Sequence, residues 1–221
     1  MLEKIPGSLG RALSGVRAGA TKLAIYDAAF AAAPESIEVS SLSFADGQAI
    51  PARYTADGPG TSPALAWRLP GDAAALVLIV EDADSPSFEP LVHAIAWNID
   101  PDLTGLPAGV LSGETAMETG RNSYLRTDWL PCDPPTGHGP HRYAFQLFAL
   151  DTPLSFDSPP GRSALLAAMK GHVLARGALI GTYERVARPS KGKAPLIAAS
   201  AVGVVAGLLS VAFWRLRNKD R

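Results

Sequence analysis

A mainly β domain followed by one membrane-spanning helix is the architecture this sequence predicts, and three observations predict it. Apolar runs of strand length recur between residues 36 and 186, each closed off by turn-forming residues. The chain contains 21 glycines and 19 prolines, more turn residues than a helical bundle uses. Near the C-terminus, the stretch Pro195–Trp214 carries no charge at all.

The strands come first. Ile37-Glu38-Val39-Ser40 and Ser41-Leu42-Ser43-Phe44 alternate apolar and polar residues, as half-buried strands do. Ala75 to Val80 is continuously apolar and reads as a central strand buried on both faces. Val92 to Ile99 is a second such run, and Tyr143 to Leu150 is a third, rich in aromatics. Asp57-Gly58-Pro59-Gly60, Asp84-Ser85-Pro86 and Asp133-Pro134-Pro135-Thr136-Gly137 supply the turns between them. One helix is predicted from Ser163 to Ala175, with Asp157 or Ser158 able to cap it and Pro159 or Pro160 suited to its first turn. A last strand, Ala178 to Glu184, follows Gly177. Residues 35–186 therefore form one domain of about 150 residues, enough for a substantial core.

The flanking regions have their own logic. In residues 1–34, Leu9, Leu13, Val16, Ala20 and Leu23 recur at roughly helical spacing, with Arg11, Arg17 and Lys22 between them. Such an amphipathic extension either touches a membrane surface or packs on the domain behind it, and its glycines favour packing. Residues 187–194 form a basic linker. The twenty residues of 195–214, at 1.5 Å each, cover a hydrocarbon core of roughly 30 Å. Trp214 and the basic tail 215–221 complete a single-pass C-terminal anchor. Basic residues at 185, 188, 191 and 193 balance those at 215, 217, 219 and 221, so flanking charge gives no orientation. Met1–Arg17 lacks the continuous apolar run of an export signal, which predicts a membrane protein with its domain on the cytoplasmic side. Gly203 and Gly207 have the small-xxx-small spacing of a weak dimer contact.

Composition excludes some functions. Twenty basic against 21 acidic side chains leave no surplus to neutralise phosphates along a nucleic acid. With Cys132 as the lone cysteine, no intramolecular disulfide can form.

Three clusters carry chemistry. Glu81-Asp82-Ala83-Asp84-Ser85-Pro86 follows directly on a buried strand, so its carboxylates lie where that strand ends; turn-making is their ordinary role. His93 sits inside an apolar strand, where a lone histidine is more often a satisfied core residue than a ligand. In the run from Leu130 to Tyr143, a Pro- and Gly-rich loop delivers His141, Arg142 and Tyr143 to the start of an aromatic strand. In an extended segment His141 and Tyr143 share one side and Arg142 takes the other. A histidine and a phenol at one spot can donate hydrogen bonds to an anionic oxygen. His138 reads as an exposed loop residue, and its spacing to His141 and Cys132 fits no standard zinc pattern.

Taken together these motifs resemble the phosphatidylethanolamine-binding proteins, in the bacterial branch related to the Raf kinase inhibitor protein. The resemblance rests on Asp82, Asp84 and Pro86, then His93, then Pro134, Pro135, Gly137, His141, Arg142, Tyr143, Phe145 and Leu147, with Ala149 to Asp151. It extends through His172–Ala175 and Gly181–Arg185, and covers residues 36–186. It implies a pair of antiparallel sheets with one or two peripheral helices and a small anion pocket at one end. The pocket it implies is formed by Asp82, His93, Asp133, Pro134, Pro135, His141 and Tyr143. Asp82 would repel an anion, so its implied task is to orient or charge a neighbouring histidine. The expected ligand is a phosphate-bearing small anion, a phospholipid headgroup or a protein partner, with no cofactor, no metal and no catalytic residue. Inhibition of a kinase or protease is the alternative, and hydrolysis by the His/Asp cluster a weaker one, since GxSxG, HExxH and Walker motifs are lacking.

Overall fold

The computed structural model describes residues 6–112 and 117–186. In chain order the helices and strands are α1 (Gly7–Ala12), β1 (Glu38–Ser40), β2 (Leu65–Arg68), β3 (Ala75–Asp82), β4 (Leu91–Ile99) and β5 (Gly105–Leu106). They continue with β6 (Glu118–Gly120), β7 (His141–Leu150), α2 (Arg162–Met169) and β8 (Val173–Tyr183). The strands form two antiparallel sheets, one of five strands in the order β6-β4-β3-β7-β8 and one of three in the order β1-β2-β5. The predicted mainly β fold with paired antiparallel sheets is what forms.

The continuous apolar runs are explained by cover on both faces of the larger sheet. Side chains alternate along a strand, so β3 sends Leu76, Leu78 and Val80 toward the smaller sheet and Val77 and Ile79 the other way. β7 does the same, with Tyr143, Phe145 and Leu147 inward and Ala144 and Phe148 outward. Leu65, Trp67 and Leu106 close the inner core from the smaller sheet. The outer core is closed by Leu165, Leu166 and Met169 of α2 and by Leu23, Ala24, Ile25 and Phe30 of the N-terminal segment.

That cover settles the role of residues 18–33: they pack on the domain. The segment is not one amphipathic helix. After the six-residue α1 it runs through three 3₁₀ turns, Ala20–Lys22, Ala24–Tyr26 and Ala28–Phe30. Gly19, at φ +102°, breaks the helical path. The amides of Ala24 and Ile25 donate to the buried Glu81 carboxylate and Gln146 side-chain oxygen, each at 2.8 Å. Arg162 of α2 meets the same carboxylate at 2.5 Å, so helix and segment share one buried anchor.

Two boundaries differ from the sequence expectation. Ser41–Phe44 is no strand. Ser41 Oγ donates to the Ala64 carbonyl and accepts from the Ser43 amide, bending the chain and leaving Leu42 98% exposed. The helix starts at Arg162 behind Gly161, without a side-chain cap from Asp157 or Ser158, and ends at Met169. Gly171, at φ +81°, reverses the chain, and pairing with β7 draws Val173–Arg176 into β8.

Among the described residues no helix is long and apolar enough to cross a membrane. The linker 187–194, the run 195–214, the tail 215–221, and Gly203 with Gly207 lie outside the described residues.

Phe30 is 1% exposed and meets Phe148 edge to face, with ring centroids 5.5 Å apart. Truncation of a buried phenylalanine costs about 3–5 kcal/mol. Phe30→Ala is therefore expected to lower unfolding free energy by about 3 kcal/mol in a denaturant titration; an unchanged midpoint would mean the segment is dispensable to the fold.

Candidate functional site

One end of the larger sheet gathers the chemistry. Antiparallel pairing of β3 with β7 puts Asp82 opposite Tyr143, and pairing of β3 with β4 puts Asp82 opposite Leu91. The end of β3 and the starts of β4 and β7 thus converge, bringing Asp82, His93, His141 and Tyr143 together from distant parts of the chain. The loop from Leu130 to Pro140 closes over them.

Asp82 accepts at both oxygens. Its Oδ2 lies 2.7 Å from Nδ1 of His141, and its Oδ1 takes the Asp84 amide at 2.8 Å. Asp82 thus holds the His141 ring through Nδ1. The second ring nitrogen of His141 lies 2.7 Å from Nδ1 of His138, whose Nε2 meets the Val16 carbonyl at 3.2 Å. His141, 1% exposed, has both nitrogens engaged inside the protein and presents neither to a ligand. His138 is likewise 1% exposed, which corrects the expectation of an exposed loop residue. The Gly139-Pro140 turn folds the two imidazoles onto each other, ring centroids 4.7 Å apart.

His93 is buried with Nδ1 2.6 Å from the Leu130 carbonyl, so Nδ1 carries the proton and donates. Its Nε2 is buried and has no hydrogen-bond partner among the described residues. Burial pushes the His93 pKa below its ordinary value, against the pull of Asp82 and the Leu130 carbonyl. Nε2 is thus a bare acceptor in the neutral ring. The hydroxyl of Tyr143, whose ring meets His93 edge to face at 5.1 Å, is also buried without a partner. Burial pushes its pKa well up, with Cys132, Asp82 and Asp133 adding to the rise, so it stays a phenol.

Asp82, His93 and Asp133 line a cleft with Ser85, Pro86 and Tyr124, among others. Its volume is about 20 Å³, room for about one water molecule. Asp133 is held by Arg185 at 2.6 Å, which also reaches the Pro134 carbonyl and Asp57. Pro134 and Pro135 shape the loop from outside the cleft, and the Pro135 carbonyl accepts the His138 amide. His141 and Tyr143 stand behind the cleft wall. Arg142 faces away, as the alternation requires, and grips Asp84 through two bonds of 2.7 and 2.8 Å. Arg17, His138, Leu130 and Arg185 are the participants that sequence reading did not find. His138, three residues from His141 across Gly-Pro, was the discoverable one; Arg17 reaches the site from more than a hundred residues away with no local signal.

Known proteins share this arrangement of strands. Residues 40–184 match the family described as phosphatidylethanolamine-binding protein. A UPF0098 protein of Pyrococcus horikoshii is 41% identical over 157 residues, covering 68% of this chain and 77% of that protein. The crystal structure of a phosphatidylethanolamine-binding protein homologue from Chlamydia trachomatis has a TM-score of 0.63 at 35% identity, over 68% of this chain and 99% of that one. Escherichia coli YbcL, described as a member of the mammalian family, has the same fold at a TM-score of 0.62 and 24% identity, over 67% of this chain and 98% of that one.

Asp84 gives the site a measurable acid sensitivity. Burial raises its pKa, but hydrogen bonds from Arg142 and Arg17 outweigh that and hold it at about 2. A carboxylate with a depressed folded pKa stabilises above its unfolded pKa near 3.9 and loses that stability as pH falls toward 2. The contribution is on the order of 2 kcal/mol. Asp84→Asn is expected to flatten the acid limb of the stability curve between about pH 4 and pH 2; an unchanged limb would show that Asp84 is not what titrates there.

Proposed function

The chain belongs to the phosphatidylethanolamine-binding protein family, and from that premise we propose that its cleft binds a small phosphate-type group, free or as a phospholipid headgroup, with one proton shared between a phosphate oxygen and His93 Nε2. The observation that carries this reading is a pair of buried polar atoms with no partner among the described residues, His93 Nε2 on the cleft and Tyr143 Oη behind its wall. One is an acceptor and the other a donor. A buried polar group left unpaired costs about 1–3 kcal/mol, which a guest with matching groups returns. A hydrogenphosphate offers both a P–OH to donate and a P–O⁻ to accept.

The carboxylates beside the cleft do not forbid such a guest. Asp82 is hydrogen-bonded to His141 and Asp133 is ion-paired with Arg185, so each carboxylate already has a partner within the protein. A water-sized cavity has to open before a tetrahedral group can enter, and Tyr124, 38% exposed on the wall, is the side chain with room to turn outward. That opening keeps the affinity modest.

The pH dependence follows from His93. A fully ionised phosphomonoester or phosphodiester is held only if Nε2 takes up a proton, whereas a singly protonated monoester already carries that proton. Binding therefore takes up a proton, and affinity falls as pH rises. The uncharged run 195–214 is read as the anchor that holds this domain at a membrane, where headgroups are at high effective concentration.

The full chain is expected to stay with membranes through alkaline carbonate extraction. In detergent it should bind phosphoethanolamine saturably by titration calorimetry, with roughly tenfold weaker affinity at pH 8 than at pH 5. Loss of the hydroxyl alone, in Tyr143→Phe, should weaken binding by roughly tenfold. Release by carbonate would remove the anchor from this account. A folded protein that takes up no phosphoethanolamine would remove the cleft's ligand.

A further inference from the structure

Residues 6–19 form a strap across the back of the site. Arg17 donates to the carbonyls of Pro140 at 2.9 Å and His138 at 3.2 Å, and pairs with Asp84 at 3.0 Å. The amides of Ala18 and Gly19 donate to the carbonyls of Ser85 and Ala83. Gly10 lies so close to the 136–138 loop that a Cβ there would sit 2.0 Å from the Thr136 carbonyl oxygen. The strap thus touches both loops that carry site residues.

One strap contact differs in kind from the others. Val16 is held through its carbonyl by His138, which is held by His141, which is held by Asp82. This chain has three gaps, and each gap needs one proton to be a hydrogen bond. Two neutral imidazoles bring one ring proton each and a carboxylate brings none. Two protons cannot fill three gaps. Once His141 has given its proton to Asp82 and His138 has given its own to His141, the Val16 carbonyl faces a bare nitrogen.

We infer that the Asp82–His141–His138 chain takes up one additional proton when the strap docks, making His138 the positioning residue through which protonation at the site fastens residues 6–19. The uptake follows from the count: the docked geometry uses all three gaps, and with the strap lifted only two remain. Docking therefore weakens as pH rises.

The surroundings locate the added charge. Arg17 and Arg11 approach the 137–139 loop from the strap. Asp84 with Arg142 lies beside them, Arg185 lies next to Gly137, and His93, Cys132, Asp133 and Tyr143 lie near Asp82. Burial, His141 and Arg17 all push the His138 pKa down, outweighing its contacts with strap carbonyls. The positive charge accordingly rests on His141, against the Asp82 carboxylate, while His138 stays neutral and points its Nε2–H at Val16.

Two measurements on the full chain test this. Imidazole nitrogen shifts in the unmutated protein should show His141 with both nitrogens protonated and His138 with its proton on Nε2 while the strap is docked. A bare Nε2 on His138 in that state would overturn the inference. Amide exchange of residues 13–19, corrected for the intrinsic effect of pH, should show strap opening rise by roughly tenfold from pH 6 to pH 9, the worth of about one hydrogen bond. His138→Gln keeps a donor for Val16 but cannot pass a proton, so its opening should be flat with pH. Gly10→Ala, which forces the strap off Thr136, supplies the undocked reference. Flat opening in the unmutated chain, or unchanged pH dependence in His138→Gln, would overturn the inference.

Discussion

Eight consecutive residue pairs hold β3 against β7, from Ala75 opposite Leu150 to Asp82 opposite Tyr143. Both strands are buried on both faces, so every residue in the pairing has an assigned side. A slip of one residue would turn Leu78 and Phe145 from the inner core to the outer one and carry Asp82 away from His141. The apolar burial that fixes the register is spread over the whole strand, whereas the chemistry occupies only its last residues. Strand pairing set by packing thus places the site, and the site adds little to the pairing.

Carboxylates cluster where β3 ends, and alternation divides them. Glu81 points outward to Arg162, Gln146 and the Ala24 amide. Asp82 points to the cleft side and meets His141. Asp84, in the turn, takes both Arg142 and Arg17. All three are 5% exposed or less, and an unpaired charge at such burial would be untenable. Each carboxylate is matched to a partner side chain from a different part of the chain, an arginine for Glu81 and Asp84 and His141 for Asp82, which ties α2, β7 and the N-terminal strap to one strand end. The atoms left without a partner among the described residues, His93 Nε2 on the cleft and Tyr143 Oη behind its wall, belong to neutral groups, and a neutral group tolerates being left unpaired far better than an ion does.

Much of this was legible in the sequence, for identifiable reasons. The three buried strands announce themselves because a strand covered on both faces is apolar throughout. The His141/Tyr143 alternation against Arg142 followed from strand geometry alone. Other features depend on partners that no local pattern encodes. Ser41–Phe44 alternates like a strand, but the Ser41 hydroxyl bends it instead. Val173–Ala175 close the predicted helix, yet the free edge of β7 claims them for β8. His138 looked like a loop residue because its burial comes from Val16 and Arg17, distant in sequence. The resemblance carried Asp82, His93 and Asp133 to the cleft, where they lie; it could not show that both nitrogens of His141 are already engaged.

The account turns on His93 Nε2 and Tyr143 Oη being the groups that receive a ligand. A crystal structure determined at saturating phosphate tests this most directly. The account predicts a phosphate in the cleft, one oxygen within hydrogen-bond distance of each atom, with Tyr124 turned outward and the Asp82–His141 contact intact. A cleft still of water size under those conditions, or a phosphate held only by surface arginines, would contradict it.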